Sequence, residues 1–282
     1  RKRLEQAFDI GAKIDDRANA GTSMGQFNIG MKASSIWLAD EWILRTKRHD
    51  EEDELQMIII NEDVFAGNDE IPETVRQVGD ITRHHTILEF SKLRHNFSQT
   101  VINKTKRFIS SMYRYHIGKS IRIFWEEEEL LWEDYILREH EGKIVKKPFG
   151  PAPLNPGVDD RVVKGWIGVL ASGLPSETKH RGASYDNAGI SILRRGRMIE
   201  GAPDAWKPKG IFASGQGNIV AQRVVGEIDF DDGDVSYDKS LISEDDKAKL
   251  NIYLTSLYKD YQLGKIAKLK LEDETDQKPN PK

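Results

Sequence analysis

Between Val101 and His116, Val101, Ile102, Thr105, Phe108, Ile109, Met112 and His116 return at intervals of three and four, while Lys104, Lys106, Arg107 and Arg114 take the other faces. Only an α-helix brings residues so spaced onto one side. The spacing predicts a helix that ends at Gly118, where a residue without a Cβ can turn the chain away. Strand-like stretches flank it, so the chain is mixed α and β rather than a bundle or a sandwich. Before the helix, DEWILRTKR (40–48) and LQMIII (55–60) alternate as paired strands do, and TILEFSKL (86–93) reads as a third strand. After it come SIRIFW (120–125), VVKGWIGVLA (162–171), AGISILRRGRMIEG (188–201) and NIVAQRVVGEIDF (218–230), all strand-like.

Breakers fix the remaining segments. Residues 61–85 hold Gly67, Pro72 and Gly79 and read as loop. KKPFGPAPLNPG (146–157) holds four of the ten prolines and also reads as loop. Leu250, Leu254, Leu257 and Tyr261 place a helix over 243–261, and residues 3–11 predict a short helix ending at Gly11. The chain enters structure directly after Arg1, as a piece of a longer protein would. The expected fold class is α+β, with domains at 1–118 and 119–267 and a disordered tail at 268–282.

Composition narrows the function classes. A chain of 282 residues suits two domains. A net charge of −4 argues against affinity for nucleic acid over the whole surface, though not against a local basic patch. The absence of cysteine excludes disulfides and thiolate-held metal, and fits a reducing, cytoplasmic setting. No apolar run reaches the roughly 18 residues of a membrane span, so no membrane partner is expected.

The segment GTSMGQFNIGMKASS (21–35) feeds glycines and a lysine into a helix predicted over Met31–Ala39. Glycines let backbone approach an anion closely, and a helix start offers unpaired N–H groups and partial positive charge. This is a recipe for holding phosphate. From the loop alone, a surface turn leading into a helix is the preferred reading. The segment is not a P-loop, because Met31 stands where that motif needs lysine, and not a dinucleotide fingerprint, because no strand precedes it.

GQFNIGMKASS resembles the lid motif of the GHKL (Bergerat-fold) ATPases, roughly G-x-F-G-x-G-x-K-x-A, a superfamily that includes gyrase, the MutL proteins, the ninety-kilodalton chaperones and the microrchidia ATPases. The match falls on Gly25, Phe27, Gly30, Lys32 and Ala33, with Asn28 where a glycine is usual. The resemblance implies the lid half of a Bergerat-type α/β sandwich, followed by a transducer (ribosomal protein S5-like) α/β domain. It implies that ATP with Mg²⁺ is bound, with Gly25, Gln26, Phe27, Asn28, Ile29, Gly30, Met31 and Lys32 around the phosphates. Thr86 stands where the family's Gly-Thr supplies a hydroxyl, with His85 replacing the glycine. GISILRRGRMIEG and AQRVVGEIDFDDGDVSYDKS resemble the transducer, whose returning lysine would be Lys239, the expected catalytic residue; an ordinary surface lysine is the competing reading. The family's Mg²⁺-holding and adenine-reading motifs would lie upstream of residue 1. The activity implied is ATP hydrolysis coupled to closure, often with a homodimer, in DNA maintenance or defence against foreign DNA. The rival is a non-catalytic module, derived from this fold, that binds DNA or a protein.

Other clusters receive plainer readings. Asp229, Asp231, Asp232 and Asp234 lack the glycine and glutamate spacing of a calcium loop and read as an Asp-rich turn. His84 and His85 point to opposite sides of an extended chain, so with Glu89 they predict no metal site. The cations of the 101–116 helix, and Arg194, Arg195 and Arg197, read as solvated or ion-paired faces ahead of a nucleic-acid surface.

Overall fold

The computed structural model describes residues 30–61, 73–194, 197–212, 218–231 and 242–269. The expected helix at 3–11, most of the loop that follows it and the tail from 270 lie outside the described residues. Two compact units divide between Ser98 and Gln99, ahead of the boundary expected near 118. Both combine helices and sheets, an α+β fold.

In the first unit, α1 (Gly30–Leu38) runs straight into β1 (Ala39–Lys47), followed by β2 (Asp53–Ile60), β3 (Glu73–Gln77) and β4 (His85–Leu93). They form an antiparallel sheet in the order β3-β2-β1-β4. DEWILRTKR and LQMIII pair as their alternation predicts, with Trp42 opposite Ile59 and Leu44 opposite Met57. Period two sends these four and Phe90 to one face, where they cluster. Arg45 to Glu89 at 2.7 Å and Arg94 to Asp40 at 2.6 Å brace β1 against the end of the sheet at β4. The loop expected over 61–85 is in part a strand. Thr74 and Val75 suit extended backbone, and Gly79, at φ +74°, stops β3 rather than preventing it.

The second unit opens with α2 (Gln99–Met112). Gly118 takes the expected left-handed conformation, but the helix ends earlier, at Met112, and turns carry the chain on. The predicted apolar face is not the buried one. Val101 and Phe108 are exposed, while Ser110, Ser111 and the downstream Arg114 are buried. Small serines let α2 approach the sheet, and the Ser111 hydroxyl lies 3.2 Å from Met198 Sδ. SIRIFW forms a strand only at its end: β5 (Phe124–Trp125) makes a hairpin with β6 (Glu128–Glu129), and a second hairpin joins β7 (Glu139–His140) to β8 (Lys143–Ile144).

The main sheet has the order β12-β11-β13-β10-β9, from β9 (Lys146–Asn155), β10 (Asp159–Val169), β11 (Gly189–Arg194), β12 (Arg197–Glu200) and β13 (Val224–Asp229). Only β11 and β13 run parallel. The proline-rich stretch expected as loop is therefore a strand. It can be one because β9 lies at the sheet's edge, where a missing N–H costs no ladder bond on the open side. Its register against β10 breaks opposite Gly150 and Pro151. Gly150 sits at φ +70°, and a Cβ there would lie 2.3 Å from Val163 O, so glycine alone fits the bulge.

Helices α3 (Lys209–Phe212), α4 (Ile219–Arg223), α5 (Glu244–Asp260) and α6 (Leu263–Lys268) complete the unit. The stripe read for α5 is the observed one, with Leu250 and Leu254 fully buried in the same core cluster as Val163, Ile167 and Ile228. Ser243 caps it by accepting from Asp246 N at 3.2 Å.

Candidate nucleotide site

The described part of the expected lid is the start of α1. Gly25, Gln26, Phe27, Asn28 and Ile29 lie outside the described residues, as does Lys239. Gly30, Met31 and Lys32 form the first turn of a nine-residue helix that has no acidic residue in that turn. The opening N–H groups of an α-helix have no partner within it. With no carboxylate in the turn, none of its own side chains offsets their partial positive charge. Such a start leaves its backbone N–H groups without an acidic side chain of the same turn beside them.

Thr86 lies near the start of β4, opposite Thr46 of β1, and the two hydroxyls are 3.1 Å apart. The Thr46 hydroxyl also reaches His85 O at 3.3 Å. The Thr86 hydroxyl is thus held in a cross-strand pair. Beside it runs a charged row that the sequence reading did not find. Lys47 pairs in register with both Glu54 on β2 and His85 on β4, and all three share one face. His85 Nε2 and Glu54 Oε2 meet at 2.7 Å beside Lys47, across the central strand. Lys47, only 3 % exposed, donates to Glu51 O at 2.5 Å and Arg83 O at 2.9 Å, fastening both loops at this end of the sheet. Glu54 and His85 are 31 residues apart, so only the register of three strands reveals the row.

The histidine pair does not converge. His85 holds Glu54, Glu89 holds Arg45, and the His84 ring meets His49 at 6.2 Å. Of the acidic turn, Asp229 and Asp231 are described. Burial, reinforced by Asp231, raises the Asp229 carboxyl above its usual value, against the pull of Lys164 at 3.1 Å.

The basic residues of α2 and beyond bond within their own unit. Lys104 meets Asp204 at 2.9 Å, Lys106 meets Glu128, and Arg107 donates to Asn187 Oδ1. Arg114 is buried against Glu227 at 2.5 Å and lies over the Trp132 ring at 5.1 Å. Tyr115 donates to the same carboxylate, and burial together with that charge holds its phenol above the usual value. Arg194 donates to Asp231 O at 3.2 Å, and Arg197 points to Met112 Sδ. Lys104, Lys106 and Arg114 are thus ion-paired, while Arg107, Arg194 and Arg197 reach an amide oxygen, a backbone carbonyl and a thioether.

No family model and no curated protein sequence matches the chain.

Proposed function

We propose that this chain carries the phosphate-holding lid of a GHKL-type ATP site, whose closure over nucleotide drives a conformational change in DNA maintenance or defence against foreign DNA. The observation that supports it is the start of α1 at Gly30, at the end of a glycine-bearing segment, with no acid in its first turn. Oxyanions of a triphosphate match that arrangement, since each phosphate oxygen takes an unpaired N–H. In this reading the amides of residues 25–31 hold the phosphates. Lys32 adds a full charge, Thr86 orients a water through its hydroxyl, and Lys239 returns to the terminal phosphate. ATP, bound with the Mg²⁺ that the resemblance implies, supplies the anhydride that is cleaved. The second unit, a five-stranded sheet with a parallel pair at its centre, takes the role of transducer.

ATP binding to the chain and to Lys32→Ala and Lys239→Ala tests the reading. A hydrogen bond to a charged group contributes about 1.5–3 kcal/mol, so each variant should bind roughly 10- to 100-fold more weakly. Wild-type affinity in both variants defeats the proposal. A chain that ignores ATP yet retains DNA or a protein partner is the non-catalytic module instead.

A further inference from the structure

The β7–β8 hairpin, the start of β9 and the end of α5 with α6 enclose a groove of about 400 Å³. Val145, Ile266 and Leu269 give it an apolar floor, and Lys143, Lys147 and Lys265 stand around that floor. Among the described residues no carboxylate pairs with any of the three. The one acid in the lining, Glu141, lies 3.8 Å from His140. Elsewhere in the same unit Lys164, Lys247 and Lys249 each hold a carboxylate. Three like charges around a low-dielectric floor repel one another, and an anionic occupant relieves that repulsion.

Carboxylates follow the groove closely in the sequence. Leu269 lines the groove, and its carbonyl accepts from Arg138 at 2.9 Å and from Arg223 at 3.3 Å; Arg223 also holds Ala267 O at 2.7 Å. Two guanidiniums therefore pin the exit of α6 at the groove. Glu272, Asp273, Glu274 and Asp276 follow within a few residues. An extended chain advances about 3.3 Å per residue, so this run reaches about 10–23 Å from Leu269, enough to return over the lysines.

We propose that the groove is the docking surface of the chain's own acidic segment 272–276, whose carboxylates pair with Lys143, Lys147 and Lys265. The covalent tether sets an effective concentration of millimolar order, so individually weak, salt-sensitive pairs suffice. Any external acidic ligand for this face must first displace the segment.

Acetylation footprinting of the full chain at low salt tests this, with the variant Glu272→Gln/Asp273→Asn/Glu274→Gln/Asp276→Asn beside the wild type. The expected result is a several-fold rise in the acetylation rates of Lys143, Lys147 and Lys265 in the variant. Wild type at high salt should show the same rise relative to an exposed reference amine. Lys164, paired with Asp229, serves as the internal control and should react alike in both proteins. Equal rates at the three lysines in both proteins overturn the proposal. So does protection of those lysines by added inorganic phosphate to the same extent in both proteins, which reassigns the groove to an external anion.

Discussion

Replacing Arg114 with methionine is expected to damage the second unit out of proportion to the loss of one surface charge. The guanidinium is buried, 2.5 Å from Glu227 and over the Trp132 ring. Its removal leaves the Glu227 carboxylate out of water with the Tyr115 hydroxyl as its remaining partner. Breaking one half of a buried pair costs about 3–5 kcal/mol, because the other charge is stranded. Replacing both halves with apolar residues removes that penalty. Arg114→Met/Glu227→Leu should then lose only about 1 kcal/mol, chiefly from the unpaired Tyr115 hydroxyl. Urea unfolding followed by tryptophan emission, in the single variants and the double variant, reads the coupling. Glu227→Leu strands the guanidinium at a similar cost, so the predicted interaction energy is about 5–9 kcal/mol, and in a unit of this size the Arg114→Met loss lowers Tm by about 6–20 °C. A double variant as unstable as the sum of the two singles refutes the claim that the pair acts as a buried unit.

Four other outcomes follow from the same geometry. Gly150→Ala forces a Cβ to within 2.3 Å of Val163 O at a left-handed φ, and should cost about 2 kcal/mol or more in thermal or urea unfolding. Hydrogen bonds from Arg161 and Lys249 hold the Asp159 carboxyl far below its usual value. A depressed folded pKa stabilises above the unfolded pKa near 4 and is lost as pH falls below it, so Asp159→Asn should flatten the acid limb of a stability–pH curve below about pH 4. Thr86→Ala breaks an exposed hydroxyl pair and should change stability by no more than about 0.5 kcal/mol, so any loss of ATP turnover in that variant reports on the site. Ser243→Ala removes the cap on α5 and should cost about 1 kcal/mol.

What the sequence reveals depends on how local the deciding interaction is. Period two over Trp42–Leu44 and Met57–Ile59, and the leucine stripe with Ser243 ahead of it, are local, and the strands and α5 stand where those patterns place them. The strand at 146–155 is hidden because proline reads as a breaker unless the open edge of the sheet is known. The buried side of α2 is hidden because Arg114 goes inward for a partner, Glu227, supplied by β13 far along the chain. At the candidate site, the helix start at Gly30 was legible from the glycines and the lysine. The Glu54–Lys47–His85 row was not, since it exists only once three strands fall into register.

The central claim is that residues 21–35 fold over the phosphates of a bound nucleotide. Amide hydrogen exchange of that segment, with and without Mg²⁺ and ATP at saturating concentration, tests it most directly. The account predicts slowed exchange across residues 25–32, reached in Lys32→Ala only at roughly 10- to 100-fold higher ATP. Identical exchange in both conditions, with ATP demonstrably bound elsewhere or not at all, contradicts it.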